Sequence, residues 1–124
     1  MITKEELQQL LMSTETFRVE RTVSTNNMDK FCEAICAFSN DIPDSRQNGY
    51  LILGANDDGS LSGLKVDDAL LKKIAAIRSD GNILPLPVMN VDRFEFPGGD
   101  LLVAEVQPGS YLSAAVRRLH IFQG

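Results

Sequence analysis

The fold is decided by residues Asp29 to Leu64, DKFCEAICAFSNDIPDSRQNGYLILGANDDGSLSGL. From Met28 to Ser39, apolar residues recur at three- and four-residue spacing, which predicts a helix buried on one face, with Asn26 or Asn27 as its cap. The run from Tyr50 to Leu53 is apolar throughout, which is typical of a strand buried on both faces, so this strand is predicted to be central. The polar loop between them and the Asn-Asp-Asp-Gly turn after them complete a small folding unit.

Two elements are predicted before this unit. A helix over residues 3–12 begins with Thr3 and Glu6 at capping-box spacing, and Leu7 lies on its apolar stripe. The alternating and β-branched residues of the stretch 17–23 then predict a first strand.

Further elements are predicted after it. Asp67 or Asp68 caps a third helix that ends near Gly81. The run ILPLP at 83–87 is too rich in proline for a helix or a central strand. The predicted strands are Leu61–Leu64 as the return of a hairpin, Val91–Phe96 and Leu101–Val106 joined by a turn at residues 97–100, and Leu119–Phe122.

This order of elements predicts a single α+β domain over residues 1–124. It has two layers, with two main helices packed on one face of a mixed or antiparallel sheet, plus the short N-terminal helix. A chain of 124 residues buries a core without needing disulfides or a structural metal. We expect it to be the N-terminal part of a longer protein.

The charge balance limits the classes of partner. Twelve lysines and arginines against seventeen aspartates and glutamates give a net charge of −5. This weighs against bulk electrostatic attraction to nucleic acid and leaves only a local basic patch for such binding. No apolar run reaches the length of a membrane span and the N-terminus is charged, so we expect a cytoplasmic protein with no membrane contact.

Three patterns that often carry chemistry do not do so here. Cys32 and Cys36 lie four residues apart on one helix without further zinc ligands, so they are predicted to be core thiols. The glycines after the central strand are not followed by Gly-Lys-Ser/Thr, which excludes a P-loop and its ATPase activity. His120 is the only histidine and has no nucleophile placed to use it, so no catalytic triad is expected.

Four segments together carry a family resemblance: ETFRVE at 15–20, AICAFSN at 34–40, GYLILG at 49–54 and NDDGSLSGL at 56–64. In order and spacing the chain resembles the Schlafen AlbA-type domain over most of its length. The resemblance implies a nucleic-acid-binding, above all DNA-binding, module of a bacterial transcriptional regulator or helicase-related protein, with no cofactor. Phosphate contacts are then predicted from the basic side chains of Arg21, Lys30, Arg46, Arg117 and Arg118. The other interpretation is that these are scattered solubilising charges.

A second hypothesis from the same resemblance is a metal-dependent endoribonuclease acting on RNA. Glu15 and Glu20 match its paired glutamates, and Asp57, or its neighbour Asp58, matches its aspartate. Such carboxylates would hold Mg²⁺ or Mn²⁺ to activate water. The other interpretation pairs Glu20 with a neighbouring cation and makes the two aspartates turn formers. The domain alone is expected not to be an enzyme.

A third hypothesis is an interaction module that docks on another chain or forms a homodimer through a sheet edge. For every hypothesis the site is expected where the first strand, the loop after the main helix and the turn at 56–59 converge, because polar groups from three segments would gather there.

Overall fold

The computed structural model describes residues 2–12, 18–40, 46–81, 83–84, 86–109 and 115–116. This part of the chain contains three helices and six strands. In order they are α1 (Lys4–Met12), β1 (Val19–Thr22), α2 (Met28–Asn40), β2 (Gly49–Leu53), α3 (Asp68–Ala75) with a 3₁₀ turn (Ala76–Arg78), β3 (Ile83–Leu84), β4 (Met89–Phe96), β5 (Gly99–Val106) and β6 (Ala115–Val116).

Four strands form one mixed sheet in the order β1-β2-β5-β4. β1 pairs with β2 in parallel, whereas β5 is antiparallel to both β2 and β4. β2 is therefore an inner strand, as its apolar run predicted. β3 and β6 form a separate two-stranded antiparallel sheet. The predicted α+β class with a mixed sheet is confirmed.

The two main helices cover one face of the sheet. Phe31 and Ile35 of α2 and Ile74 of α3 have no exposed surface, and they pack with Leu51 of β2 and Leu102 of β5 in one core cluster. Full burial of each such side chain contributes about 1.5–3 kcal/mol. This packing is the physical reason for the apolar spacing read from the sequence.

The opposite face is covered by α1. Leu7 and Leu11 pack there in a second cluster that includes Ile52 of β2. The predicted capping box is present, since the Thr3 N–H donates to Glu6 at 2.9 Å and the Glu6 N–H donates to the Thr3 hydroxyl at 3.1 Å. Helices on both faces explain why β2 has no polar face.

Both main helices begin at the carboxyl end of β2. α2 follows β1, whose last residue Thr22 is in register with Leu53 at the end of β2. Just before α3, the Val66 N–H donates at 3.0 Å to Asp100, near the start of β5. Asp67 caps α3 by accepting from the Leu70 N–H at 2.8 Å. Two helix N-termini therefore lie at one end of the sheet.

Both helices also end together, at the amino end of β2. A Cβ on Gly49, the first residue of β2, would lie 2.2 Å from the Phe38 ring in the last turn of α2. Beyond α3, Arg78 donates at 3.2 Å to the Met89 carbonyl, and Met89 is in register with the end of β5. The sequence predicted that this helix ends near Gly81, but α3 ends earlier in the chain, at Ala75.

Two other sequence predictions need correction. The stretch 61–64 does not return as a strand, because only a single bridge joins Leu61 to Ala55. Its last carbonyl, on Leu64, instead accepts from the Asp100 N–H at 2.7 Å, so the segment turns toward β5. The β4–β5 turn contains only Pro97 and Gly98, since both strands continue to it. The predicted strand at 119–122 lies outside the described residues.

Candidate functional site

Two buried arginines at β1 hold the last turns of two helices. Arg18 donates at 2.8 Å to the Phe38 carbonyl of α2 and also to the Gln47 carbonyl. Arg21 donates at 3.0 Å to the Leu11 carbonyl of α1. The last carbonyls of a helix have no partner inside the helix and carry partial negative charge, so a guanidinium stabilises them.

Arg21 was predicted to contact phosphate, but its exposed fraction is only 4%. It lies on the α1 face of the sheet, where its guanidinium bonds to Leu11. In VERTV the arginine has a valine two residues away on each side, and this is the sequence signal that could have indicated its buried position. The structure therefore gives Arg21 a role in the fold.

The turn after β2 is built by side chains. The Asp58 carboxylate accepts from the Ser60 hydroxyl at 2.6 Å and from the Ser60 N–H at 2.9 Å. These two donors, with a smaller contribution from Arg21, hold the pKa of Asp58 below its usual range. Asn56 closes the turn by donating from its side chain to the Ser60 carbonyl. Asp57 is exposed, and no described residue donates to its carboxylate.

Glu20 forms an ion pair with Lys30. Its Oε2 lies 3.4 Å from the Lys30 Nζ, and both side chains are about one-third to two-fifths exposed. Glu20 and Arg21 are adjacent in β1, so they point to opposite faces of the sheet, and Glu20 faces α2. Both predicted functions of these residues, phosphate contact for Lys30 and metal ligation for Glu20, would have to compete with this ion pair.

Only Glu20 and Asp57 of the three predicted metal-binding carboxylates lie among the described residues. Glu15 lies outside the described residues, as do Arg117, Arg118 and His120. Within the described ranges no three histidine, cysteine, aspartate or glutamate side chains are grouped so that they could hold a metal ion. The predicted site of Glu15, Glu20 and Asp57 for Mg²⁺ or Mn²⁺ therefore stays a prediction, because one of its three carboxylates lies outside the described residues.

A second lysine lies beside the N-terminus of α2. Lys73 of α3 donates at 3.0 Å to the carbonyl of Thr25, in the loop between β1 and α2. Asn27 caps α2 by accepting from the Lys30 N–H at 3.2 Å. We call Thr25, Asn26, Asn27, Lys30 and Lys73 the α2 N-terminal surface. It combines two ammonium groups, exposed amides and the positive end of a helix dipole.

Among the described residues, the three segments of the predicted convergence do not meet at one point, because Arg18 before β1 bonds to Gln47 of the loop, whereas the turn at 56–59 follows the other end of β2. Arg46 lies in the loop after α2, whereas Lys30 lies in the first turn of α2. A helix of 13 residues is about 20 Å long, so the two cations lie at opposite ends of the domain. The described end of that loop precedes β2 and the turn at 56–59 follows β2, so these two segments lie at opposite ends of this strand. Arg46 is exposed and has a left-handed φ of 57°.

A polar cluster on the α1 face was not predicted. The buried Glu105 carboxylate accepts from the Tyr50 hydroxyl at 3.0 Å and from the Asn48 amide at 3.2 Å. Burial raises the pKa of Tyr50 to about 12, and the hydrogen bond to Glu105 acts in the same direction. Tyr50 therefore stays protonated as a hydrogen-bond donor. The lone glutamate in the apolar run LLVAEV was its sequence signal.

Two backbone groups of the outer strand β4 are hydrogen-bonded to side chains. The Asp92 carboxylate accepts from the Arg93 N–H at 2.8 Å, and the Met89 carbonyl accepts from Arg78. Backbone groups occupied in this way cannot pair with a strand of another chain. This arrangement makes β4 less suited to be the sheet edge of the predicted homodimer, which stays a prediction.

The fold and these positions define a small α+β domain in which a mixed sheet lies between α1 on one face and α2 and α3 on the other. Residues 15–121 match the family model described as Schlafen, AlbA_2, and the chain belongs to that family. This confirms the resemblance read from the four sequence segments. A comparison with curated proteins finds no match.

Among solved structures, the chain is similar to the N-terminal domain of a RecG-related protein from Nitrosomonas europaea, determined by NMR in solution. The TM-score is 0.65 at 23% sequence identity, over 89% of this chain and 76% of that one. At this identity the likeness shows a common fold. No helix among the described residues is long and apolar enough to cross a membrane.

Proposed function

We propose that this chain is a nucleic-acid-binding module, acting on DNA in the cytoplasm as part of a longer bacterial transcriptional regulator or helicase-related protein. Family membership over residues 15–121 supports the proposal, and so does the fold shared with a domain whose protein is named for an ATP-dependent DNA helicase. RNA is the alternative ligand. The observation on which the proposal depends most is the α2 N-terminal surface.

At this surface the protein offers phosphate groups the donors that they require. Lys73 reaches across from α3 to Thr25 and so brings its ammonium beside the first turn of α2. Lys30 in that turn forms an ion pair with Glu20, and this ion pair is partly exposed. Exposed ion pairs of this kind contribute about 0–1 kcal/mol, so a phosphate can replace Glu20 as the partner of Lys30. Phosphate contacts of this type position a protein on nucleic acid without reading sequence.

The test is fluorescence anisotropy with labelled duplex DNA, single-stranded DNA and structured RNA over a series of salt concentrations. The double variant Lys30→Gln, Lys73→Gln is compared with Lys4→Gln, a matched lysine change on α1 at the other face of the sheet. Each lost phosphate contact reduces the slope of log affinity against log salt by ~0.9 for duplex DNA. We expect the double variant to lose about two contacts and the control none.

An unchanged salt slope in the double variant would mean that the phosphate contacts lie elsewhere on the domain. Arg46, Arg117 and Arg118 would then be the next residues to substitute. Absence of binding by the wild type to all three nucleic acids would remove the proposed function. Parallel denaturing gels with Mn²⁺ test the ribonuclease hypothesis, which predicts cleavage that depends on Glu20 and Asp57.

A further inference from the structure

An apolar groove lies on the face of the sheet opposite the α2 N-terminal surface. Its cavity of about 320 Å³ lies between the last turns of α1 and the loop after β2, and we call it the α1 groove: Gln8, Leu11, Met12, Gly59, Leu61 and Phe96. A second, more open depression of about 470 Å³ continues along α1 past Glu5 and Gln9 and shares Gln8 and Met12 with the first. The volume is within the range of ligand sites.

Met12 is the unusual residue of the groove. It is 82% exposed at the end of α1, the largest exposed fraction among the large apolar residues of the described chain. Leaving such a side chain in water forgoes about 1.5–3 kcal/mol of burial. Methionine is flexible and polarisable, and such residues are common on surfaces that bind apolar side chains of varied shape.

The charges around the groove indicate the chemistry of its occupant. Glu5 lines the more open depression, and the exposed Asp57 and Asp58 directly precede Gly59 at the other end of the groove. Among the described cations near the groove, Lys4 already lies over the Phe96 ring at 4.6 Å from its centre, and the buried Arg21 is already bonded to the Leu11 carbonyl. This rim repels phosphate and attracts basic groups.

We infer that the α1 groove binds an extended peptide segment of a partner protein, with one large apolar side chain flanked by lysine or arginine. The apolar side chain occupies the space between Met12, Leu61 and Phe96. The Gln8 amide, where the two depressions meet, can donate to and accept from the peptide backbone. Glu5 at one end and Asp57 at the other receive the basic side chains. The inference does not depend on nucleic-acid binding, because the groove lies on the other face of the sheet.

The probe is a fluorescein-labelled, end-blocked peptide with a central leucine between two pairs of lysines. One control peptide replaces leucine by serine, and another replaces the lysines by glutamates. We expect the lysine–leucine peptide to bind most tightly, and each control to bind about tenfold more weakly. Met12→Ser should weaken binding about tenfold as well, because it removes the wall of the groove. The double variant Glu5→Lys, Asp57→Lys should remove the preference for lysine over glutamate.

Thermal unfolding checks that both variants keep the fold, which is expected because the changed side chains are exposed. Equal binding of all three peptides, absence of binding, or binding unchanged by Met12→Ser would overturn the inference. Sedimentation of the chain over a range of concentrations tests a different occupant. Self-association that Met12→Ser abolishes would mean that a second copy fills the groove, and this would also overturn it.

Discussion

The carboxylate of Glu20 lies 3.4 Å from the ammonium of Lys30, across the contact between β1 and α2. The two residues were predicted to serve different functions, Glu20 as a metal ligand and Lys30 as a phosphate contact. Their ion pair makes these functions mutually dependent, because whichever partner is engaged by a ligand releases the other.

Substitution of Glu20 separates the two hypotheses. In a binding module, Glu20→Gln frees Lys30 and removes a negative charge, so DNA affinity at low salt should rise about two- to fivefold. Anisotropy measures the rise, and Glu95→Gln, an exposed glutamate on β4, is the control for net charge. A ribonuclease would instead lose cleavage of structured RNA in Mn²⁺. Weaker DNA binding in Glu20→Gln would contradict the proposed competition.

Arg21 is expected to support stability without affecting affinity. Arg21→Gln leaves the Leu11 carbonyl without its guanidinium donor in a buried setting, and the free energy of unfolding should fall by about 1–3 kcal/mol. Urea unfolding measures the loss. Arg46→Gln, on the exposed loop, should change it by less than about 0.5 kcal/mol. Below the unfolding transition, Arg21→Gln should bind DNA like the wild type, and a changed salt slope would restore the phosphate role.

Gly59 is expected to tolerate no side chain. It has φ of +88°, and a Cβ there would lie 2.0 Å from the Leu11 carbonyl oxygen at the end of α1. Gly63 has nearly the same φ, +86°, but open space around it. Gly63→Ala therefore measures the backbone cost alone, about 1–2 kcal/mol. Gly59→Ala should cost clearly more in urea unfolding, since it also pushes α1 away. Equal losses would mean that α1 moves freely.

The raised pKa of Tyr50 predicts that the folded protein becomes less stable at alkaline pH. Its pKa is about 12 in the folded protein, against about 10 in an unfolded chain. Between these values the unfolded chain loses the tyrosine proton first, so stability is retained below pH ~10 and decreases as the pH rises toward 12. Urea midpoints at several pH values in this range measure the fall. Tyr50→Phe should show a smaller decrease, and an identical decrease would assign it to other groups.

Local signals in the sequence predicted much of the fold. The capping box at Thr3 and Glu6 and the Asn27 cap depend on residues three apart in the chain, and both are present. The apolar spacing of α2 and the apolar run of β2 also reflect burial directly. The stretch Leu61–Leu64 was mispredicted as a strand because its conformation depends on a hydrogen bond between the Leu64 carbonyl and the N–H of Asp100, which is distant in the chain.

The candidate site was harder to predict because it depends on which residues the topology brings together. Lys73 bonds to the carbonyl of Thr25, and nothing in its neighbourhood in the chain indicates this contact. Lys30 and Arg46 lie only sixteen positions apart, yet α2 separates them by its whole length. Arg21 and Glu20 are neighbours with opposite surroundings, because successive residues of a strand face opposite sides.

The two arginines at β1 also determine how the domain opens. Arg18 is bonded to the end of α2 and Arg21 to the end of α1, so a four-residue strand is attached to a helix on each face of the sheet. Detaching β1 from β2 would release both helix ends in the same event. The amide protons of β1 and of the last turns of α1 and α2 should therefore exchange with solvent at a common rate, as one cooperative unit.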